Sequence, residues 1–459
     1  MTNQSAKMAT VQDFKLSRYG RASTVASPVN HMMAAFAGDF REGTDVNLGV
    51  GYVNEQTIPR ELIQASLAHV TANPQIYRTP FNYGGPAGAG YLVDSIRRFF
   101  ADRRIGGLTR ELLETKQIVI GASGATSLLE ALATVLGPGI VLTSDPNYYI
   151  YTDLLDRIGF EIVAVPEDDD GIDTDRLAQA IDALGERRQE VSFVYVVTVN
   201  NPTCSILSNA RRGKLVRIVT QLGNRLGRKV PLLMDTAYEL LVHDPDVPRP
   251  ESALLHDESG IVYEIGTLSK ILAPALRIGF MIGEASNLTE AVVQKVSDVG
   301  FSAPLVNQGI ASHLLDHCVD QQLDEVKRGY RAKARRMQRW IDEHLGEHLS
   351  HCVGGSAGFY FYLTLNKIET HEQSPFFRFL SRTTGDHKMD GRPGGRRPRV
   401  IYVPGEYCVH PAGALVDVSR RQLRLSYGFE EIERIEQALR LMGQACRYAI
   451  EHGDNISMT

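Results

Sequence analysis

Lys270 stands in Gly266-Thr267-Leu268-Ser269-Lys270, directly after an apolar run that reads as a buried strand. Burying an ammonium is costly. Either the stem lies in the core and the head snorkels to water, or the amine has a depressed pKa or is held as an imine. Arg277 follows in Pro274-Ala275-Leu276-Arg277-Ile278-Gly279. Asp235 ends the run Pro231-Leu232-Leu233-Met234, with Tyr238 close behind. A carboxylate in that place is a helix N-cap or a functional anion. Asn201-Pro202 lies just past Phe193-Val194-Tyr195-Val196-Val197, where a plain turn is the simplest reading. Gly121-Ala122-Ser123-Gly124 separates an apolar run from a helical pattern, and small residues there let backbone N–H groups meet a phosphate at a helix N-terminus.

Short Val- and Ile-rich runs must position these groups. Strands are expected at 117–121, 139–144, 161–165, 192–199, 230–235, 261–266 and 278–282, with helices between them, for example at 127–136, 174–183 and 210–226. Such alternation predicts βαβ units and a mainly parallel sheet. Turn signals after the strands place the candidate residues at carboxyl ends, where α/β sites gather. Residues 287–340 read as helical, and the basic run 327–336 as a solvated helix face. An α+β block follows, with strands near 358–365, 400–403 and 422–427 and a helix over 431–451. The stretch 382–399, rich in Gly, Arg and Asp, reads as a mobile surface loop. Residues 1–40 read as an arm with one short helix, and 167–170 as an acidic surface turn.

Taken in order, these pieces resemble the fold-type I pyridoxal-phosphate enzymes of the class I/II aminotransferase family, over about Val46 to Ala449. The spacing from Lys270 to Arg277 is most similar to the kynurenine/2-aminoadipate and valine–pyruvate branches. The resemblance implies an α/β fold: a mainly parallel seven-stranded sheet with helices on both faces, plus a smaller α+β domain. Residues 1–60 are then an N-terminal arm with part of the small domain, 61–320 the large cofactor-binding domain and 321–459 the small C-terminal domain.

It also implies roles. Lys270 forms an imine with pyridoxal 5'-phosphate and later shuttles a proton. Asp235 keeps the pyridine nitrogen protonated. Asn201 and Tyr238 bond the phenolic oxygen, and Tyr148 stacks on the ring. Ala122, Ser123, Thr267 and Arg277 hold the phosphate, and Tyr83 reaches it from the partner of a homodimer whose active sites lie at the subunit interface. Arg424, in Leu423-Arg424-Leu425-Ser426, grips the substrate carboxylate, with Gly51 and Asn201 beside it. The implied activity is amino transfer between an α-amino acid and a 2-oxo acid. The alternative is β- or γ-elimination or replacement on an amino acid or S-adenosylmethionine-like substrate, since one fold hosts many chemistries.

One departure stands out: Cys204 occupies the place after Asn-Pro-Thr where the family usually has Gly. It is a turn substitution or a thiol near the cofactor. Cys408 and His410 are open to substrate contact or a structural role. His313 and His317 have helical spacing but no further ligands in a recognised order, so no metal is expected.

Composition agrees with an enzyme. The 459 residues carry 49 Lys+Arg against 54 Asp+Glu, a net charge of −5, with no basic excess to suggest nucleic acid. No apolar run approaches the roughly 20 residues of a membrane span. Five scattered Cys suit a reducing, cytoplasmic setting. A sensor-type regulator built on the same core needs a DNA-binding domain ahead of it. The 45 residues before Val46 show no helix-turn-helix pattern.

Overall fold

The computed structural model describes residues 14–392 and 394–453. Eight strands form the main sheet: β1 Lys116–Ile120, β2 Ile140–Asp145, β3 Glu161–Asp168, β4 Gly171–Ile172, β5 Val191–Val197, β6 Leu232–Asp235, β7 Val262–Thr267 and β8 Gly279–Glu284. Their spatial order is β1-β8-β7-β6-β5-β2-β3-β4. From β7 across to β3 every pair is parallel, whereas β8 runs against both its neighbours and β4 against β3. The seven expected strands are all present, and β4 is a two-residue addition.

The central strands are mostly apolar because helices cover both faces. In β5, Phe193 and Tyr195 pack to one side with Leu129 and Leu132 of the helix Gly124–Leu136. Val194 and Val196 pack to the other, with Val219 and Leu222 of the helix Asn209–Leu226. Each such fully buried Val, Leu or Phe contributes about 1.5–3 kcal/mol. The helical region 287–340 resolves into three helices, Asn287–Asp298, Leu305–His317 and Val319–Leu345.

A second, four-stranded sheet comprises β9 Leu349–Gly354, β10 Tyr360–Leu365, β11 Val403–Pro404 and β12 Gln422–Ser426, in the order β9-β10-β12-β11. It brings Arg424 to the main sheet. Both parts of the chain meet again where Val46–Asn47 pairs in parallel with Val400–Ile401.

Two expectations are corrected. The described part of the arm holds two helices, Arg18–Ala22 and Pro28–Ala37, while residues 1–13 lie outside the described residues. The 382–399 segment is held together and tied to the rest of the fold through three of its arginines. Arg382 Nε donates to the Pro398 carbonyl at 2.8 Å, Arg396 pairs with Asp39 at 2.6 Å, and Arg399 pairs with Asp39 and Asp45 at 2.8 and 2.9 Å. Burial pushes the Asp45 carboxyl up, but hydrogen bonds from Arg41 and Arg399 outweigh it and hold the group at about 2. A Gly/Arg/Asp composition looks the same for a solvated loop and for an ion-paired one; here the partners come from the distant arm.

Candidate active site

A cavity of about 260 Å³ opens at the carboxyl ends of β5, β6 and β7. Asp235, the last residue of β6, faces it together with Lys270, from the turn after β7. Lys270 Nζ donates to the Gly51 carbonyl at 3.4 Å and lies 5.4 and 5.5 Å from the ring centres of Tyr238 and Phe359. Burial, reinforced by Arg277 and Arg424, brings its amine down to about 8, with Asp235 opposing. The amine is therefore not a snorkelling surface charge. Burial pushes Asp235 up to about 6, against hydrogen bonds at 3.0 Å from the Ala237 N–H and the Tyr195 O–H.

The far wall is built by the Arg277–Gly279 corner. Arg277 has a left-handed φ of 55°, which turns its guanidinium back over the start of the helix Gly124–Leu136. It donates to the Ser123 hydroxyl at 3.2 Å and the Ser123 carbonyl at 3.0 Å. Gly279 is required next to it: a Cβ there would overlap the backbone of Gly124 and Ala125. A helix N-terminus and a guanidinium thus share one corner, which favours an anion. The residues of this corner that line the cavity are Ala125, Thr126 and Arg277; Ala122 is absent from the lining, and Ser123 sits one step back, holding Arg277. Thr267 lines the cavity and accepts from the Ser269 N–H at 3.1 Å.

Tyr148, Asn201, Tyr238 and Gly51 also line the cavity. Behind Asn201 lies Arg424, almost fully buried, whose Nη1 donates to Asn201 Oδ1 at 2.8 Å and Nη2 to the Gly49 carbonyl at 2.5 Å. Its Nε–H has no partner among the described residues. Tyr360 was not singled out from the sequence. Its ring lies 4.5 Å beneath the Arg424 guanidinium and its hydroxyl is 3.0 Å from that of Tyr238. The readable trace of it is Gly51, where a Cβ would stand 2.6 Å from the Tyr360 hydroxyl.

Four remaining candidates lie elsewhere. Tyr83 is 80% exposed, outside this chain's own cavity. Cys204 is buried with φ 54°, and burial pushes its thiol up to about 12, so it is a turn residue and no thiolate. Cys408 is buried and the His410 N–H donates to Asp145 at 3.1 Å; neither lines the cavity. The acidic turn also differs from expectation: Asp168, Asp169 and Asp170 are exposed, but Glu167 turns inward.

The residues fit pyridoxal 5'-phosphate. A buried carboxylate without an arginine partner suits a ring nitrogen, a guanidinium at a helix N-terminus suits a phosphate, and a buried amine near neutrality suits an aldehyde.

Comparison with known proteins gives the same answer. The family described as aminotransferase class I and II matches residues 45–380. The chain is 25% identical over 353 residues to the 2-aminoadipate transaminase of Thermus thermophilus, covering 76% of this chain and 79% of that one. It is 22% identical over 408 residues to an uncharacterized HTH-type transcriptional regulator, YisV, of Bacillus subtilis, covering 88% of this chain and 74% of the regulator. A multiple substrate aminotransferase from Thermococcus profundus has the same fold, with a TM-score of 0.80 at 20% identity over 95% of this chain and 98% of that one. The chain belongs to the class I and II aminotransferase family and is a pyridoxal-phosphate-dependent aminotransferase.

Proposed function

We propose that this enzyme moves an amino group between an α-amino acid and a 2-oxo acid in amino-acid metabolism, with Arg424 holding the substrate carboxylate and Lys270 moving the proton. The observation that carries the reading is the convergence of Lys270, Asp235 and Arg277 on one cavity that Asn201 also lines, with Arg424 bonded to Asn201 from behind.

When bound, the cofactor supplies an electron-accepting ring that carries the amino group between carbon skeletons. The chain's own residues do the rest. With its amine brought down to about 8, Lys270 can take and return a proton at the substrate Cα near neutral pH. Asp235 holds the proton on the ring nitrogen, and Tyr238 with Asn201 binds the phenolic oxygen. Arg277, Thr267 and the helix start at Ala125–Thr126 anchor the phosphate, with Ser123 behind them holding Arg277. Tyr148 packs on the ring. Arg424 lies on Tyr360 and is already bonded to Asn201 and Gly49, so it meets a carboxylate with little ordering left to do. Gly51 leaves room for the substrate beside it.

We also infer the chain's organisation: an arm and part of the small domain in 1–60, the cofactor domain in 61–320 and the small domain in 321–459. The working unit is a homodimer in which Tyr83 reaches the partner's phosphate. Support comes from the exposure of Phe81 at 75% and Tyr83 at 80%, with Phe301 beside Tyr83 at 5.8 Å. A cytoplasmic setting is supported by five thiols, none of them paired. Small molecules, and not nucleic acid, are the partners on this reading. No helix among the described residues is long and apolar enough to cross a membrane.

The test is a screen of amino acids read by cofactor absorbance. A half-reaction that stops at the aminated cofactor, with borohydride fixing the resting cofactor on Lys270, supports the reading. Release of an unsaturated product instead means elimination, and binding without turnover means a sensor of the kind YisV raises. Arg424→Ala should weaken amino-acid binding and leave the cofactor in place.

A further inference from the structure

The turn that carries Asn201 is gripped from outside by one carboxyl. Glu167, at the end of β3, accepts from Asn200 Nδ2 at 2.8 Å and from the Thr203 hydroxyl at 2.5 Å, on either side of Asn201-Pro202. Asn200 Nδ2 also donates to the Pro146 carbonyl at 3.0 Å, next to the segment bearing Tyr148. Thr203 in turn accepts from the Ser205 N–H at 3.2 Å. Asn200, Thr203 and Ser205 are all buried and Glu167 is half-buried, so leaving these groups without partners is costly.

The turn needs an anchor. Cys204 holds a left-handed φ of 54°, which costs a residue with a Cβ about 1 kcal/mol. Backbone bonds close the turn, from the Cys204 N–H to the Asn200 carbonyl at 2.7 Å and from the Asn200 N–H to the Ser205 carbonyl at 3.0 Å, and the two bonds to Glu167 tie the closed turn to β3.

We propose that Glu167 is a positioning residue for the carboxylate clamp: it fixes the 200–204 turn so that Asn201 Oδ1 stays on Arg424 Nη1. This rests on the reading of Arg424 given above.

Burial pushes Glu167 up to about 8, over the opposing bonds from Thr203, Asn200 and Ser205, and nearby Asp145 adds to the rise. The titratable groups facing it are Asp145 from the end of β2, Cys204 from the turn and Tyr362 from β10. Burial puts Asp145 at about 6 and Cys204 at about 12, and lifts Tyr362 well above its ordinary value. Within this group, Glu167 alone changes charge between about pH 7 and pH 9. As a neutral acid it can donate to Thr203 while accepting from Asn200, and a glutamine reproduces both bonds.

The test uses the holoenzyme and the amino acid that turns over fastest in the screen. Glu167→Leu should raise KM about tenfold, the loss expected for one well-made buried hydrogen bond, with kcat little changed and cofactor retained. Glu167→Gln should stay within about twofold of wild type. Wild-type KM in the leucine variant overturns the proposal. So does a glutamine variant as poor as the leucine one, or a folded leucine variant that sheds cofactor. If the leucine variant does not fold, Thr203→Val removes the bond to Glu167 together with the two to Ser205 and leaves Glu167 its bond from Asn200, and an unchanged KM there overturns the proposal equally. Arg424→Ala, measured alongside, separates the two readings. Unchanged KM there defeats the clamp, whereas raised KM there with wild-type KM in the leucine variant defeats only the part given to Glu167.

Discussion

The cofactor-free fold carries Lys270 at a cost that can be measured. Its amine is brought down from 10.5 to about 8, chiefly by burial. That difference corresponds to about 3 kcal/mol of preference for the neutral form inside the fold. The unfolded chain binds the proton more tightly, so between about pH 8 and 10.5 stability rises with pH. Below pH 8 the penalty is present in full; above 10.5 it is gone. Lys270→Met fills similar space without charge. Near pH 7 the cofactor-stripped variant should be more stable than wild type by about 2 kcal/mol, part of the gain being offset by the lost attraction to Asp235. Urea unfolding of both stripped proteins, from about pH 6.5 to pH 10.5, reads the effect as a difference in midpoints. The gap should close as the pH rises through 8 to 10.5. A variant no more stable than wild type near neutrality, or a gap that ignores pH, would refute the reasoning.

Two further outcomes follow from the same geometry. Gly51→Ala places a Cβ 2.6 Å from the Tyr360 hydroxyl, so the Tyr360–Tyr238 contact must give way; stability should fall by about 1–3 kcal/mol in urea and amino-acid KM should rise. Cys204, with its thiol at about 12, should resist iodoacetamide near pH 8 in the native protein while unfolded chain reacts, as mass mapping of the peptide would show; native alkylation at Cys204 would contradict its burial.

Much of the fold was legible because parallel strands covered on both faces are mostly apolar, as Val191–Val197 and Val262–Thr267 are despite Ser192 and Glu264. Asn201 and Lys270 were legible because each follows such a strand, whereas Arg277 precedes a strand and Arg424 lies within one. What stayed hidden comes from pairs distant in sequence. Tyr360 meets Tyr238 across 122 positions, and nothing local distinguishes it from the other aromatics of its strand. Glu167 heads an acidic run and reads like its exposed neighbours, since its partners Asn200 and Thr203 lie 33 and 36 positions on. The arginines of 382–399 read as solvated for the same reason. The helix N-terminus was found, but its cavity-facing residues fall one turn later than expected, because the φ of 67° at Gly124 aims Ala125 and Thr126 inward.

The Asp45–Arg399 pair and the Val46–Val400 register bind segments 354 positions apart. On a ribosome adding roughly 5–20 residues per second, the arm emerges well over ten seconds before its partner strand exists. Over that interval Val46, Leu48 and the apolar face of the helix Pro28–Ala37 have nothing of their own to cover them. The main sheet, drawn from one continuous stretch between Lys116 and Glu284, needs no such wait. The main sheet can therefore close before the end of the chain exists, whereas the pairing of the arm with Val400–Ile401 has to wait until the beginning of the chain is recaptured near its end.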